Sequence, residues 1–410
     1  MLQIVFLTWK RFQICFSSRF FTEHQNQVVT ILSVRLFPQI VRLPVWDILK
    51  RTFPCHSHRN NMLSFYENSG YLSIPAILGY GQKFNYIWGG RGTGKTYGAL
   101  KYCIEHKKIF AYMRSLQTQI DMIKIPELSP FKKLNHDMGW SIYPKSVGKN
   151  IAVYYNAEID ENGKIKYTGN ILGYAIALNT FANLRGFDAS DVEIGIYDEF
   201  IPEKRERRVE NAGYAFKNAY ETMNRNRELE GINPIQFLLF SNSESLSCDM
   251  FIENNLMEKV SNMDINKQSL SIIRDRGIGL FNLYDSPISE KKKDTALYKM
   301  SGSDSAFNRM ALGNEFYSAD YSGIRSMNIK ELIPLCKMDA VTIYQHKRKD
   351  LIYVTRHNSG TPPEYSNTDK DVKAFRRDFI YLWDMYLSNK VLFEDITSKS
   401  LFEIYFKNKY

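Results

Sequence analysis

The sequence has few of the features that mark secreted, zinc-binding or membrane proteins. Its 410 residues include only five cysteines, none in a paired spacing: Cys15, Cys55, Cys103, Cys248 and Cys336. This pattern excludes a disulfide framework or a zinc site and suits a reducing compartment. The "CHSH" stretch at 55–58 has no second ligand cluster. No uninterrupted apolar run reaches the roughly 18 residues of a membrane span, and the Met1 end lacks the basic start of a signal peptide.

Most of the chain also has no strong excess of positive or negative charge. The formal net charge is +10, and residues 1–61 carry +6 of it, with eight Lys or Arg and two acids. The mild excess elsewhere permits a polyanionic partner but does not require one. Residues 1–61 also show neither helical periodicity nor alternation. We expect them to be a poorly structured extension, with translation of the working protein starting at Met62.

A glycine-rich octet stands out in "YIWGGRGTGKTYGAL", residues 86–100. It fits the phosphate-binding pattern G-x-x-x-x-G-K-[ST], in which backbone N–H groups turn towards the phosphates. The lysine is placed for the β- and γ-phosphates and the threonine hydroxyl for Mg²⁺. The predicted nucleotide-binding residues are Gly89, Gly90, Arg91, Gly92, Thr93, Gly94, Lys95 and Thr96.

The flanking segments support this interpretation of the octet. "FNYIW" at 84–88 is typical of a buried strand, and residues 96–108 place apolar side chains on one face of a helix. The phosphates would then lie at the N-terminus of that helix, where the helix dipole favours anions. An ordinary glycine-rich turn is the alternative.

A second apolar strand, "VEIGIYDEFIPE" at 192–203, ends in Asp198 and Glu199. In P-loop NTPases an acid at this place holds Mg²⁺, and a following acid suits a general base for the attacking water. We assign Asp198 to the metal, with Thr96, and Glu199 to the water. A strand that simply ends in a solvated acidic turn is the alternative.

Three further polar residues are candidates for catalysis. Asn242 follows a third predicted strand, "PIQFLLFSNS" at 234–243, on the side where such sheets bind ligands. Arg225 and Arg227, in "NRNRE", end a predicted helix and suit an arginine acting on a neighbouring subunit's γ-phosphate. A polar strand cap and solvated helix charges are the respective alternatives.

Strands alternate with helices from residue 62 onward, which predicts a layered α/β core. A hairpin at 151–169, a strand at 173–180 and a helix at 211–228 fall within a predicted ATPase domain of residues 62–284. Residues 285–326, with a lysine run at 291–293, are typical of a linker or mobile loop. Residues 327–410 complete the chain as a smaller α+β domain.

The chain from about residue 62 resembles the DNA-encapsidation ATPases of small podovirus-type phages, compact relatives of the large terminase subunits. The stretches that carry the resemblance are, in order, "GGRGTGKT", "IFAYMR", "GYAIAL", "IYDEFI", "NRNRE" and "FSNS". A weaker likeness continues through "YKMSGSDSAFNRMALGNEF" and "YLSNKVLFEDI". The resemblance implies an additional-strand, terminase-like P-loop NTPase core.

The resemblance also implies a function. Such proteins form a homo-oligomeric ring on the portal vertex of a prohead, in the host-cell cytoplasm, and hydrolyse ATP with Mg²⁺ to drive double-stranded DNA inside. The trans-acting arginine would be Arg225 or Arg227, and Arg114 matches a basic position after the second strand. Two other classes stay open: another P-loop DNA-transfer or phage-assembly ATPase, and a scaffold that binds ATP without turnover.

Large terminases end in an RNase H-like nuclease with clustered acids for two metals. Here the predicted hairpin at 340–358 offers no inward carboxylate, and the helix at 371–389 is amphipathic. We therefore predict a vestigial, nuclease-dead version of that domain, used for DNA contact or docking. The lack of an inward carboxylate on the hairpin argues against headful cutting and for packaging of a unit-length genome.

Overall fold

The computed structural model describes residues 65–184, 186–203, 206–302, 305–316 and 320–407. The chain divides into two units, Met1–Met62 and Leu63–Tyr410. The predictions for residues 1–61, including the "CHSH" stretch, lie outside the described residues. In the part that is described, no helix combines the length and apolar content that crossing a bilayer requires.

The larger sheet of the second unit has nine strands. In chain order they are β1 (Phe84–Trp88), β2 (Phe110–Arg114), β3 (Ile142–Val147), β4 (Ile151–Ile159), β5 (Ile165–Ala177), β6 (Ile194–Asp198), β7 (Gln236–Ser241), β8 (Leu270–Ile273) and β9 (Ile278–Asn282). Their spatial order is β3-β4-β5-β2-β6-β7-β1-β9-β8.

Six neighbouring strands, from β5 to β9 in this order, run parallel. β7 lies between β1 and β6, which is the additional-strand arrangement that the resemblance implies. These central strands are almost wholly buried apolar runs, as expected of parallel strands covered on both faces. Because the strands share one direction, their carboxyl ends line a single edge of the sheet.

Helices cover both faces of this sheet. They are α1 (Ile74–Leu78), α2 (Lys95–Glu105), α3 (Gln117–Ile123), α4 (Phe131–Met138), α5 (Ala212–Asn224), α6 (Asp249–Glu253) and α7 (Met257–Ile265). α2 buries Ala99, Leu100 and Cys103 in one apolar core. α5 buries Phe216 and Met223 in a second. The two separate cores give the sheet a helical layer on each face, in agreement with the layered α/β core that the alternating pattern predicts.

The long interval between the glycine-rich loop and the acid pair is filled by an antiparallel addition to the sheet. β3, β4 and β5 pair in sequence, and a turn at Asp160–Gly163 joins the last two. The sequence predicts a hairpin arm and then a separate strand at 173–180. The structure instead has one continuous strand, β5, which leaves the hairpin and enters the sheet beside β2.

The segment predicted to be a linker or mobile loop contains three short helices: α8 (Pro287–Lys292), α9 (Ala296–Ser301) and α10 (Ala306–Ala311). A second sheet follows, with the order β13-β10-β11-β12-β14. Its strands are β10 (Leu332–Met338), β11 (Val341–His346), β12 (Ile352–Thr355), β13 (Glu364–Tyr365) and β14 (Val391–Phe393).

Helices α11 (Asp369–Phe379), α12 (Tyr381–Leu387) and α13 (Ile396–Lys407) complete this smaller α+β part. The single helix predicted at 371–389 is thus two helices that meet at Ile380. Phe375 of α11 and Leu382 of α12 are both fully buried in one core. The apolar face of the predicted amphipathic helix therefore packs inward in both helices.

Candidate active site

The glycine-rich loop joins β1 to α2 at the carboxyl edge of the larger sheet. Gly92 and Gly94 have φ angles of +69° and +90°, in the left-handed region that favours glycine. A Cβ at Gly94 would also lie 3.1 Å from the Tyr71 ring. Glycine at these positions therefore allows the tight turn that aims the loop at the start of α2.

Lys95, the first residue of α2, is buried inside the loop. Its ammonium donates hydrogen bonds to the carbonyl oxygens of Gly89 at 3.0 Å and Gly90 at 2.8 Å, and lies 3.4 Å from Thr93 Oγ1. Burial lowers the pKa of Lys95 to about 8. The loop backbone thus surrounds a positively charged group, which is placed to bind an anion.

Thr96 and Asp198 are brought together although 102 positions separate them. The Thr96 hydroxyl donates to Asp198 Oδ2 at 2.8 Å. A hydroxyl and a carboxylate are hard oxygen ligands, and Mg²⁺ in phosphate sites commonly uses one or two protein ligands with phosphate and water. Among the residues described, no group of three or more His, Cys, Asp or Glu could hold a metal. The Thr96–Asp198 pair therefore fits Mg²⁺ held jointly with a phosphate ligand.

β2 contributes two more side chains to this carboxylate. The Tyr112 hydroxyl donates to Asp198 Oδ2 at 2.9 Å, and Arg114 Nη1 lies 3.3 Å from the same oxygen. The sequence does not single out Tyr112 and gives Arg114 no definite role. Alternation along β2 could have found the pair, because residues two apart share one face of a strand.

Glu199, immediately after β6, forms an ion pair with Arg114 Nη2. Its φ angle of +59° is unusual for a residue other than glycine, and such backbone conformations cluster at functional sites. Burial raises the pKa of the Glu199 carboxyl above its ordinary value, while the charge of Arg114 opposes that shift. Glu199 therefore lies beside Asp198, the candidate metal ligand. The raised proton affinity of Glu199 suits a general base.

Two other predicted site residues lie at the same edge. Arg91, within the loop, pairs with Glu203 and lies 3.8 Å from Glu244. Asn242 is 8% exposed and directly follows β7, whose Ser241 carbonyl accepts a hydrogen bond from the Gly89 N–H at 3.2 Å. Asn242 is thus adjacent to the loop, as the strand order requires.

Arg225 and Arg227 lie at the opposite edge of the sheet. Both follow α5, and the preceding Asn224 accepts a hydrogen bond from the N–H of Ile235, the residue just before β7. Arg227 is buried and donates to the Ser190 carbonyl at 2.6 Å, whereas Arg225 is exposed. Within one chain, therefore, neither arginine lies at the edge that holds the glycine-rich loop and the acid pair.

Comparison with known proteins gives consistent matches. The profile of the podovirus DNA encapsidation protein (Gp16) family matches residues 66–376. The "DNA packaging protein" of Bacillus phage PZA is 24% identical in an alignment of 326 positions that covers 75% of this chain and 85% of that protein. The protein of the same name from Bacillus phage phi29 is 23% identical, with the same coverage of this chain and of that protein.

A solved structure, described as the bacteriophage Phi-29 viral genome packaging motor assembly, has a similar fold. The TM-score is 0.56 at 18% sequence identity, covering 84% of this chain and 99% of that chain. At this identity the likeness shows the fold alone.

Proposed function

Since the chain belongs to the podovirus DNA encapsidation protein family, we propose that it is the ATPase of a motor that drives double-stranded viral DNA into a prohead. One observation carries the proposal: the phosphate-binding loop and the acid pair converge, with Thr96 Oγ1 and Asp198 Oδ2 2.8 Å apart. The names of the PZA and phi29 relatives support DNA packaging as the process.

In this proposal the loop binds the triphosphate of ATP. Phosphate oxygens replace the carbonyls of Gly89 and Gly90 as partners of the Lys95 ammonium, which strengthens binding because the new partners are charged. Asp198 and Thr96 would hold Mg²⁺, which when bound would neutralise charge on the phosphates. Tyr112 orients the Asp198 carboxylate through its hydroxyl hydrogen bond.

Glu199 then orients and deprotonates the attacking water. The carboxylate must first leave its ion pair with Arg114, because an oxygen committed to a guanidinium is a poor proton acceptor. Asn242 is proposed to contact the γ-phosphate or the water from the end of β7. An arginine from the neighbouring subunit completes the site, so that hydrolysis is coupled to the contacts within a homo-oligomeric ring.

The proposed ring acts in the host cell, transiently at the portal vertex of the prohead. Its contacts with DNA are mainly to phosphate, so DNA binding should depend weakly on sequence and strongly on salt. The deciding experiment measures ATP hydrolysis by the purified chain alone, with DNA, and with DNA and portal-bearing proheads. We expect stimulation in the complete mixture. Binding of ATP without hydrolysis would identify a scaffold, and DNA stimulation indifferent to proheads would identify another DNA-transfer ATPase.

The buried Lys95 should make nucleotide binding depend on pH. With its pKa lowered to about 8 by burial, Lys95 is mostly neutral in the free protein at pH 9, and bound phosphate favours the charged form. Nucleotide binding at pH 9 should therefore take up roughly one proton, and affinity should fall about tenfold between pH 7 and pH 9. Calorimetry of ADP binding in buffers of different ionisation enthalpy measures the uptake.

Lys95→Arg is the control for this titration, because arginine keeps its charge at pH 9. The variant should bind ADP without the Lys95-dependent proton uptake. Equal uptake by the wild type and Lys95→Arg would show that a different group titrates.

We also propose that the C-terminal α+β part is a vestigial nuclease-like domain without cleavage activity. Strands β11 and β12, of sequence "VTIYQH" and "IYVT", contain no carboxylate. Two-metal cleavage requires clustered acids. Incubation with supercoiled plasmid and Mg²⁺ or Mn²⁺ should leave the DNA intact. Cleavage that is lost with EDTA and co-purifies with the protein would contradict this assignment.

A further inference from the structure

The segment between the two sheets contacts the nucleotide loop directly. We call residues 284–302 and 305–316 the linking segment. Lys292, at the end of α8, donates a hydrogen bond from its ammonium to the carbonyl of Arg91 in the loop. Asn314 accepts a hydrogen bond from the Gly90 N–H and donates one to the Leu283 carbonyl. Both ends of this segment therefore contact the loop.

The Lys292 ammonium lies over the glycine turn of the loop. A Cβ built at Gly92 would collide with Lys292 Nζ, so the absence of a side chain at that position leaves room for the ammonium. Lys292 also contributes to the lowered pKa of Lys95, after burial, as a neighbouring positive charge. Two lysine ammonium groups therefore converge on the loop, one from within it and one from the linking segment.

Lys292 differs from the next lysine in its partners. Within the described part of the chain, no carboxylate lies within ion-pair distance of Lys292, which is half-buried, and burial lowers its pKa. Lys293 is exposed and pairs with Glu290 at 2.7 Å. A half-buried cation that has only a backbone carbonyl as partner gains more from an anionic ligand than one already paired.

We propose that Lys292 is a second phosphate-binding lysine, which acts within its own chain and exchanges the Arg91 carbonyl for a phosphate oxygen of the bound nucleotide. This inference rests on the proposed ATPase function, because the ligand is the nucleotide of that site. The linking segment then does more than connect the two sheets. The nucleotide phosphates contact both the glycine-rich loop and the linking segment. Loss of the phosphate contact on product release then frees α8 from the nucleotide.

The test compares three variants by calorimetry with ADP and a non-hydrolysable ATP analogue. Lys292→Met removes the charge but keeps the length, Lys292→Arg keeps the charge, and Lys293→Met is the matched control from the same lysine run. Loss of one charge-assisted contact should raise the Kd of Lys292→Met about tenfold. Lys293→Met and Lys292→Arg should each stay within about threefold of the wild type.

The outcomes separate this inference from the function on which it rests. A wild-type chain that binds neither nucleotide overturns the proposed function. A wild-type chain that binds both, with Lys292→Met equal to Lys293→Met, overturns the role of Lys292 alone.

A measurement on the wild type covers the case in which Lys292→Met does not fold. Bound ADP should slow the reaction of Lys292 with an amine-specific reagent and leave Lys293 unaffected, as read by mass spectrometry of peptides. Equal labelling of Lys292 with and without ADP would contradict the proposal.

Discussion

Replacing Glu199 by glutamine is expected to lower the turnover number for ATP by roughly 10²- to 10⁴-fold, the range typical of a lost general base. Nucleotide affinity should change little, because Lys95 and the loop backbone are untouched. The variant keeps the size of the side chain and loses only its charge and basicity. Steady-state hydrolysis and calorimetry with the ATP analogue measure the two quantities separately.

The control for Glu199→Gln is Glu203→Gln, at an acid that also follows β6 but pairs with Arg91 instead of Arg114. It should leave the turnover number within a few-fold of the wild type. Hydrolysis by Glu199→Gln at the wild-type rate would remove Glu199 from the catalytic role, and another carboxylate near the Thr96–Asp198 pair would have to take its place.

Replacing Arg225 by alanine is expected to lower ATP turnover in the assembled ring by about 10³- to 10⁵-fold, the range reported for trans-acting arginines. The sequence could not decide between Arg225 and Arg227. We favour Arg225, because its guanidinium is exposed, in contact with the Phe187 carbonyl at 3.3 Å and with Asp188 at 3.7 Å, while that of Arg227 is buried and donates to the Ser190 carbonyl. Arg225 also has a φ angle of +48°, a strained conformation of the kind found at functional positions.

Mixing two inactive variants tests whether this arginine acts across a subunit boundary. In a mixed ring, the site of an Arg225→Ala subunit can receive an intact arginine from a Glu199→Gln neighbour. Activity should therefore reappear on mixing if Arg225 acts in trans. No recovery from subunits that do assemble together would mean that the arginine does not serve a neighbour's site.

Arg227→Ala serves as the comparison for Arg225→Ala. Loss of the hydrogen bond from the buried Arg227 side chain to the Ser190 carbonyl should lower the melting temperature of the protein, whereas loss of the exposed contacts of Arg225 should lower it less. If Arg227→Ala instead keeps its stability, loses turnover and is rescued on mixing, the two assignments must be exchanged.

The parts of the site that lie close together in sequence could be predicted. The octet at Gly89–Thr96 follows a buried strand and opens a helix, and Asp198 and Glu199 end another strand. Such motifs depend on backbone turns and strand ends, which a short stretch of sequence specifies. The parallel pairing of these strands then brings their carboxyl ends to one edge, so convergence of the motifs followed from the fold class.

The contacts made by distant single residues could not be predicted. Tyr112 and Arg114 reach the acid pair only because β2 and β6 are neighbours in register. Lys292 stands in a lysine run that is typical of a solvated linker, and only the packing of α8 brings one of its three lysines to the loop.

The sequence alone therefore determined the α/β class, the glycine-rich loop and the positions of the acid pair, because local patterns of glycine, charge and apolar residues specify turns and strand ends. The tertiary structure alone decided which charged side chains are buried, paired or exposed. Arg225 and Arg227 illustrate the difference: they are chemically identical and two positions apart in sequence. What separates them is burial, which depends on the packing of elements far away along the chain.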